Sequence, residues 1–269
     1  MNKIYYLVLL LFAMSGSLHA QGEGKTVTIQ TNVGTMKARL YDDVPNHVRT
    51  FINRARQGEF NGTLFTRVIK EFMIQGGAPD SKTAPPGARC GFGDSSAEIL
   101  PELNSKYFHK KGALAAPRQN DDVNPQKKSD MSQFFIVQGK VYRNGELDTL
   151  ELIANQNIRK KALDEFYRPE AVELKMLKQS NKREYNKRIT TINAKIDSMI
   201  LATPGHLIFT DEQRKAYTTT GGCHHLDGIY TIFGEMTEGF DVLDIIANQP
   251  KDQYDRPQKD IRIISVTVE

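Results

Sequence analysis

The densest group of chemistry-bearing residues is the string Phe65-Thr66-Arg67-Val68-Ile69, followed by Phe72-Met73-Ile74-Gln75-Gly76-Gly77. It sets one guanidinium and one carboxamide, both hydrogen-bond donors, among apolar and aromatic side chains. A second group, Cys223-His224-His225, offers adjacent soft ligands. Neighbours in an extended segment point to opposite faces, the other histidines fall in no helpful pattern, and no CxxC pair exists. No metal site and no cofactor are therefore expected. Cys90 and Cys223 lie far apart in sequence, and their expected state is two free or separately buried thiols.

The elements that would carry these residues are mostly short strands. From Thr26 to Tyr41 the chain alternates around Asn32-Val33-Gly34, which predicts an opening β-hairpin. Pro45 then precedes Val48, Phe51, Ile52 and Ala55 at helical spacing, with Gly58 just beyond. Proline suits a first helical turn, where its missing N–H has no partner to lose. Thr63–Gln75 is apolar and β-branched, and 78–96 is a Gly, Pro, Ser and Asp-rich loop. Short apolar runs follow at 112–116, 133–137 and 229–233, then a helical stretch at 239–248 and an alternating end, IRIISVTVE. Many short strands with few helices predict a mainly β fold, a barrel or sandwich.

Residues 140–222 differ in kind. Tyr185, Ile189, Ile192, Ile196 and Met199 recur at steps of three and four, one narrow helical face. Pro169 divides an expected helix at about 147–167 from a second at about 170–200. Thr210 and Gln213 form a capping box opening a third. Between Arg159 and Lys195 stand eleven basic and five acidic residues. This segment reads as a basic helical arm inserted in a β domain made of 26–139 and 223–269. The arm either docks a partner or an anionic surface, or is a solvated hairpin whose apolar stripe packs on its own first helix.

At the start, Lys3 precedes an apolar run, Ile4–Met14, and a small-residue exit ending at Ala20. That pattern predicts a signal peptide over 1–20 and an exported product, periplasmic or secreted. The run is too short to span a bilayer, so no stable membrane insertion is expected after cleavage. The 269 residues carry 36 Lys+Arg against 32 Asp+Glu, a formal charge of +4, with 39% apolar residues and no tryptophan. This composition excludes collagen, disorder and a multispan membrane protein, and gives no argument for nucleic acid.

The string from Phe65 to Gly77 resembles the F-H-R-V-I-x-x-F-M-x-Q-G-G signature of the cyclophilins, a family of peptidyl-prolyl cis–trans isomerases. Gly112–Ala116 with Ser132-Gln133-Phe134-Phe135-Ile136 is similar to a second block of that family, and Leu226–Gly234 to a third, L-D-G-x-H/Y-x-x-F-G. The blocks stand in the family's order, over about 26–139 and 223–268. The resemblance implies a closed antiparallel eight-stranded barrel capped by two helices, and proline-containing polypeptides as partners. It implies Arg67 as the catalytic hydrogen-bond donor, with Gln75 orienting it and bonding the substrate backbone. Phe72, Met73, Phe135 and Leu226 would line the proline pocket, with Tyr230 at its rim. Ala116, Pro117, Arg118, Gln133 and His225 complete the expected substrate-binding set.

These residue types suit the reaction. Rotating an X–Pro bond means breaking amide resonance, a barrier of about 18–20 kcal/mol. A guanidinium can donate to the prolyl nitrogen once its lone pair leaves conjugation, a contact stronger in the transition state than in the ground state. If the site lowers the barrier by about 5 kcal/mol, the gain is roughly 4,000-fold.

Four positions depart from the family pattern. Thr66 replaces the usual His, and Tyr230 a frequent His. Pro117 lacks an N–H where the family's backbone pairs with substrate. His225 occupies the position that often carries Trp, which argues against a tight cyclosporin complex. An isomerase acting on folding exported proteins is the reading that follows. The alternative is a chaperone module that holds proline segments with weak catalysis.

Overall fold

The computed structural model describes residues 24–269; the expected signal peptide over 1–20 lies outside the described residues. The opening alternation forms β1 (Thr26–Thr31) and β2 (Gly34–Leu40), joined at Asn32-Val33. Gly34 has φ 147°, and a Cβ there would meet Val242 at 2.5 Å, so only glycine lets the hairpin sit so close. Helix α1 (Pro45–Arg56) follows, then β3 (Phe65–Ile69) and β4 (Met73–Gly76). The apolar run from 63 to 75 thus folds back on itself, turning at Lys70-Glu71 with Glu71 at φ 61°. The long loop beyond it leads to β5 (Glu98–Ile99), β6 (Ala113–Ala115), β7 (Ser129–Asp130) and β8 (Phe134–Val137).

After β8 come five helices: α2 (Asn144–Ala154), α3 (Gln156–Phe166), α4 (Ala171–Ser180), α5 (Lys182–Ala202) and α6 (Asp211–Thr219). Each of the two long helices expected here is broken once, at an asparagine. Asn155 turns its side chain to the backbone of Leu207, accepting from its N–H at 2.9 Å and donating to its carbonyl at 2.6 Å. Asn181 caps α5, accepting from the Glu184 N–H at 3.1 Å. The Thr210–Gln213 capping box is present at α6. The apolar stripe of α5 buries Ile192, Ile196 and Ile200 against Ala162 and Leu174 of α3 and α4, a small core of its own.

The chain then re-enters the sheet as β9 (Ile232–Glu238), followed by α7 (Phe240–Ala247) and β10 (Ile263–Val268). The strand expected at 229–233 begins three residues later. A turn of 3₁₀-helix at His224–Leu226 and Gly228 at φ 70° keep the preceding segment irregular.

Eight strands pair antiparallel in the order β10-β1-β2-β9-β6-β8-β4-β3. The sheet curls but stays open, which corrects the expected closed barrel. The edges meet only over a short stretch, where the isolated bridge Leu64–Arg262 is flanked by the Phe65 N–H on the Ile261 carbonyl at 2.9 Å and by the Ile263 N–H on Thr63 and the Gly62 N–H on Ile263, both at 2.8 Å. Farther along β3, the Val68 N–H donates instead to Asp255, at 2.8 Å. The loop before β10 takes the edge that closure would need. One apolar core fills the curl. Phe51 of α1 centres it, its ring 5.1 Å from those of Phe60 and Phe233 and 5.8 Å from Phe134. Helix α7 adds Leu243 and Ile246, both fully buried.

Candidate active site

Ladder register builds the site. Arg67 on β3 pairs with Gln75 on β4, Gln75 with Phe135 on β8, and Phe135 with Ala115 on β6. Residues directly opposite across strands share a face. The next row, Val68, Ile74, Ile136 and Leu114, is fully buried in the core. Alternation therefore sends Arg67, Gln75 and Phe135 to the outer face. There, loops fold over them and leave a cavity of about 320 Å³.

Phe135, 4% exposed, forms the apolar floor together with Met73 and Leu226. The Tyr230 ring meets Phe135 edge-on at 5.7 Å, and the Arg118 guanidinium lies over Tyr230 at 5.2 Å. Arg118 is anchored by Asp121 at 2.6 Å and by the Ile229 carbonyl at 3.2 Å. At the opposite end the Arg67 guanidinium stands 5.8 Å from the Phe72 ring centre, with its Nε 3.5 Å from Asp255. The Gln75 amide donates to the Gln133 carbonyl oxygen at 3.0 Å, and the Gln133 amide donates to Asp130 at 2.9 Å. Gln75 faces Arg67 across the ladder, but its side-chain bond goes to Gln133; Asp255 is the partner that steadies Arg67. The arrangement is one cation beside an apolar slot, with a carboxamide chain along the wall.

The sequence model of the cyclophilin type peptidyl-prolyl cis-trans isomerase/CLD family matches residues 26–162 and 175–268. The chain belongs to the cyclophilin-type peptidyl-prolyl cis–trans isomerases. The match runs past Lys140 into α3 and resumes within α4, beyond the span of the sequence blocks. A Staphylococcus saprophyticus protein named for peptidyl-prolyl cis–trans isomerase activity is 30% identical over 243 residues, 89% of each chain. A Streptococcus pyogenes protein named as a bifunctional phosphatase and peptidyl-prolyl cis–trans isomerase is 27% identical over 248 residues; these span 91% of this chain but only 39% of that protein. Among solved structures, a Cryptosporidium parvum cyclophilin shares the fold with a TM-score of 0.52 at 18% identity, covering 91% of this chain and 97% of that one. The same cyclophilin solved in the presence of the dipeptide Ala-Pro gives 0.51, covering 91% of this chain and 98% of that one.

In this cyclophilin-type site the cavity gathers Arg67, Gln75, Phe72, Met73, Pro117, Arg118, Gln133, Phe135, Leu226 and Tyr230. Two expected residues fall outside it. Ala116 is fully buried, its N–H on the Thr231 carbonyl at 3.0 Å. His225 lies 5.4 Å from Phe72, ring to ring, and lines a neighbouring cavity instead. Pro117 spends its carbonyl on the Asp130 N–H at 2.8 Å. Sequence reasoning missed Arg89, Phe92 and Asp255. The first two line the slot from the Gly-rich loop, where the Arg89 guanidinium lies 5.3 Å from the Phe92 ring. No spacing signal marks them, because the loop has no period.

Beneath the floor lies a further missed residue. His109 is fully buried and stacks on Phe135 at 6.0 Å, 7° from parallel. Its Nδ1 and backbone N–H meet Asp227 Oδ1 at 2.9 and 2.7 Å. Tyr217 of α6 donates to Asp227 Oδ2 at 2.5 Å. Burial pushes the His109 imidazole below its ordinary 6.5, outweighing the nearby carboxylate. The helical segment thus reaches the pocket floor through Tyr217–Asp227–His109.

Cys223, His224 and His225 diverge. The Cys223 thiol donates to the Phe72 carbonyl at 3.4 Å, and burial pushes it up to about 12. His224 packs on Tyr142 and Phe209, each within 5.5 Å. Among the described residues no group of three or more His, Cys, Asp or Glu side chains could hold a metal ion. Both cysteines are free. No helix among the described residues is long and apolar enough to cross a membrane.

Proposed function

We propose that this isomerase turns X–Pro bonds in folding, exported polypeptides, with Arg67 stabilising the twisted amide. The observation that carries this is the cross-strand row Arg67–Gln75–Phe135 on the outer face, a cation beside an apolar slot. The proline ring would enter the slot over Phe135, Met73 and Leu226, excluding water from one side of the bond. Arg67 would then donate to the prolyl nitrogen as its lone pair localises. Because the nitrogen is a poor acceptor while conjugated, the bond strengthens on the way to the transition state, which is what lowers the barrier. Gln75 is held by Gln133 with its own carbonyl oxygen left to accept from a substrate N–H. Export rests on the Lys3–Ala20 pattern alone.

One observation favours the alternative of a proline-segment-binding module with weak catalysis. Pro117 has no N–H to donate to a substrate strand, and its carbonyl already accepts the Asp130 N–H. A protease-coupled assay on Ala-Pro peptides separates the two. Acceleration well above background supports the isomerase; peptide binding without acceleration supports the module.

A further inference from the structure

Where the helical segment leaves the sheet, its two ends touch. The Gly222 N–H donates to the Lys140 carbonyl at 3.0 Å, and a Cβ on Gly139 would lie 2.3 Å from Gly222 Cα. This crossing fixes α2 opposite the β3–β4 turn. Between them lies a second cavity, of about 950 Å³, larger than the slot over Phe135. Ile69 and Phe72 form one wall, Tyr142 and Leu150 the other, with His224 and His225 between.

The two cavities adjoin. Phe72 lines both, and His225 precedes Leu226, which lines the slot. Two of the four charged side chains at the rim answer each other, Lys140 pairing with Glu146 at 3.1 Å, while the Glu71 carboxylate and the Arg143 guanidinium edge the opening. Burial also holds the His224 and His225 imidazoles below their ordinary value, which disfavours their charged forms. Behind that rim the walls left to meet a ligand are mostly aliphatic and aromatic, Ile69, Phe72, Tyr142 and Leu150. Such surface is worth burying against another apolar group and offers a charged one nothing.

We propose that this cavity is a second peptide subsite, taking a large apolar side chain two residues from the proline of the same client polypeptide. The spacing follows from the shared wall: side chains two apart on an extended chain lie about 6.5–7 Å apart on one face, enough to straddle a single aromatic ring. The curled sheet supplies the proline slot, and the helical segment adds a selector beside it. This subsite rests on the isomerase reading only for where the proline sits.

The test is direct binding by fluorescence anisotropy, using labelled Ala-rich peptides with one proline. Phe is placed at the second position on either side, and an all-Ala version is the reference. Full-length protein should bind one of the Phe peptides at least about fivefold more tightly. Thr149→Trp, which fills the cavity from α2, should bring that ratio to about 1. Should Thr149→Trp not fold, Leu150→Glu replaces it by placing a charge against the apolar walls. Equal affinity for every peptide, or a preference that survives in a folded variant, overturns the subsite. A Phe preference in a protein that does not accelerate isomerisation of these peptides above the uncatalysed rate supports the subsite and overturns the isomerase reading.

Discussion

The hydroxyl of Tyr217 is one of the few direct links between the helical segment and the pocket floor, and removing it has a calculable effect. Tyr217 is fully buried, and its hydroxyl donates to Asp227 at 2.5 Å. A hydrogen bond to a charged group contributes about 1.5–3 kcal/mol. The Asp227 side chain is 20% exposed, so water can replace part of the lost bond. Tyr217→Phe should therefore cost about 1.5–2 kcal/mol, near the lower end of that range. For a chain of this size each kcal/mol moves Tm by roughly 2–4 °C, which predicts a fall of about 3–8 °C. Catalysis should suffer much less, because Asp227 Oδ1 still holds both donors of His109 beneath Phe135. Thermal unfolding of Tyr217→Phe, Asp227→Asn and the double variant would show whether the two changes are coupled. A Tm within about 1 °C of wild type, or fully additive losses, would refute the idea that this hydroxyl ties the helices to the floor.

Asp255→Asn should cost no more than about 1 kcal/mol, since its pairs with Arg67 at 3.5 Å and Lys251 at 2.5 Å are both part-exposed. It should still lower kcat roughly three- to tenfold through looser guanidinium placement, with KM little changed and partial rescue by Asp255→Glu. Stability should fall as pH drops below about 6.5, because burial lowers His47 and His109 in the folded state and the unfolded chain binds those protons first. Above that pH these groups contribute no slope; Tm measured at pH 7.5, 6.5 and 5.5 checks the sign, and a rise on acidification would contradict it. Replacing residues 156–206 with a short Gly linker should keep peptide isomerisation within about twofold of wild type. The outer helices have a separate core, and Asn155 already abuts Leu207.

The parts of this molecule that repeat or alternate were readable in its sequence. Alternation along 26–41 gave the hairpin, and the step pattern from Tyr185 to Met199 gave the face of α5 with α3 as its partner. Arg67, Gln75 and Phe135 could be named together because they fall within family blocks, and register explains why they meet. What could not be read depends on contacts between distant loops. Whether the curl closes is decided by Asp255 taking the Val68 N–H, a contact across 187 positions with no local signal. Neither helix break carries a proline at the break itself, since asparagine acts there through its side-chain amide. His109 looked like any loop histidine, yet it is buried under the slot by a carboxylate 118 residues away.

The central claim is that Arg67 acts on the transition state rather than on binding. It is tested most directly by measuring kcat and peptide affinity separately for wild type and Arg67→Ala, with NMR exchange on an Ala-Pro peptide. If the guanidinium supplies about 3–4 kcal/mol of the stabilisation, kcat should fall by roughly 150- to 1,000-fold. Kd should change less than about threefold. Equal kcat in the two proteins, or a loss confined to Kd, would contradict it.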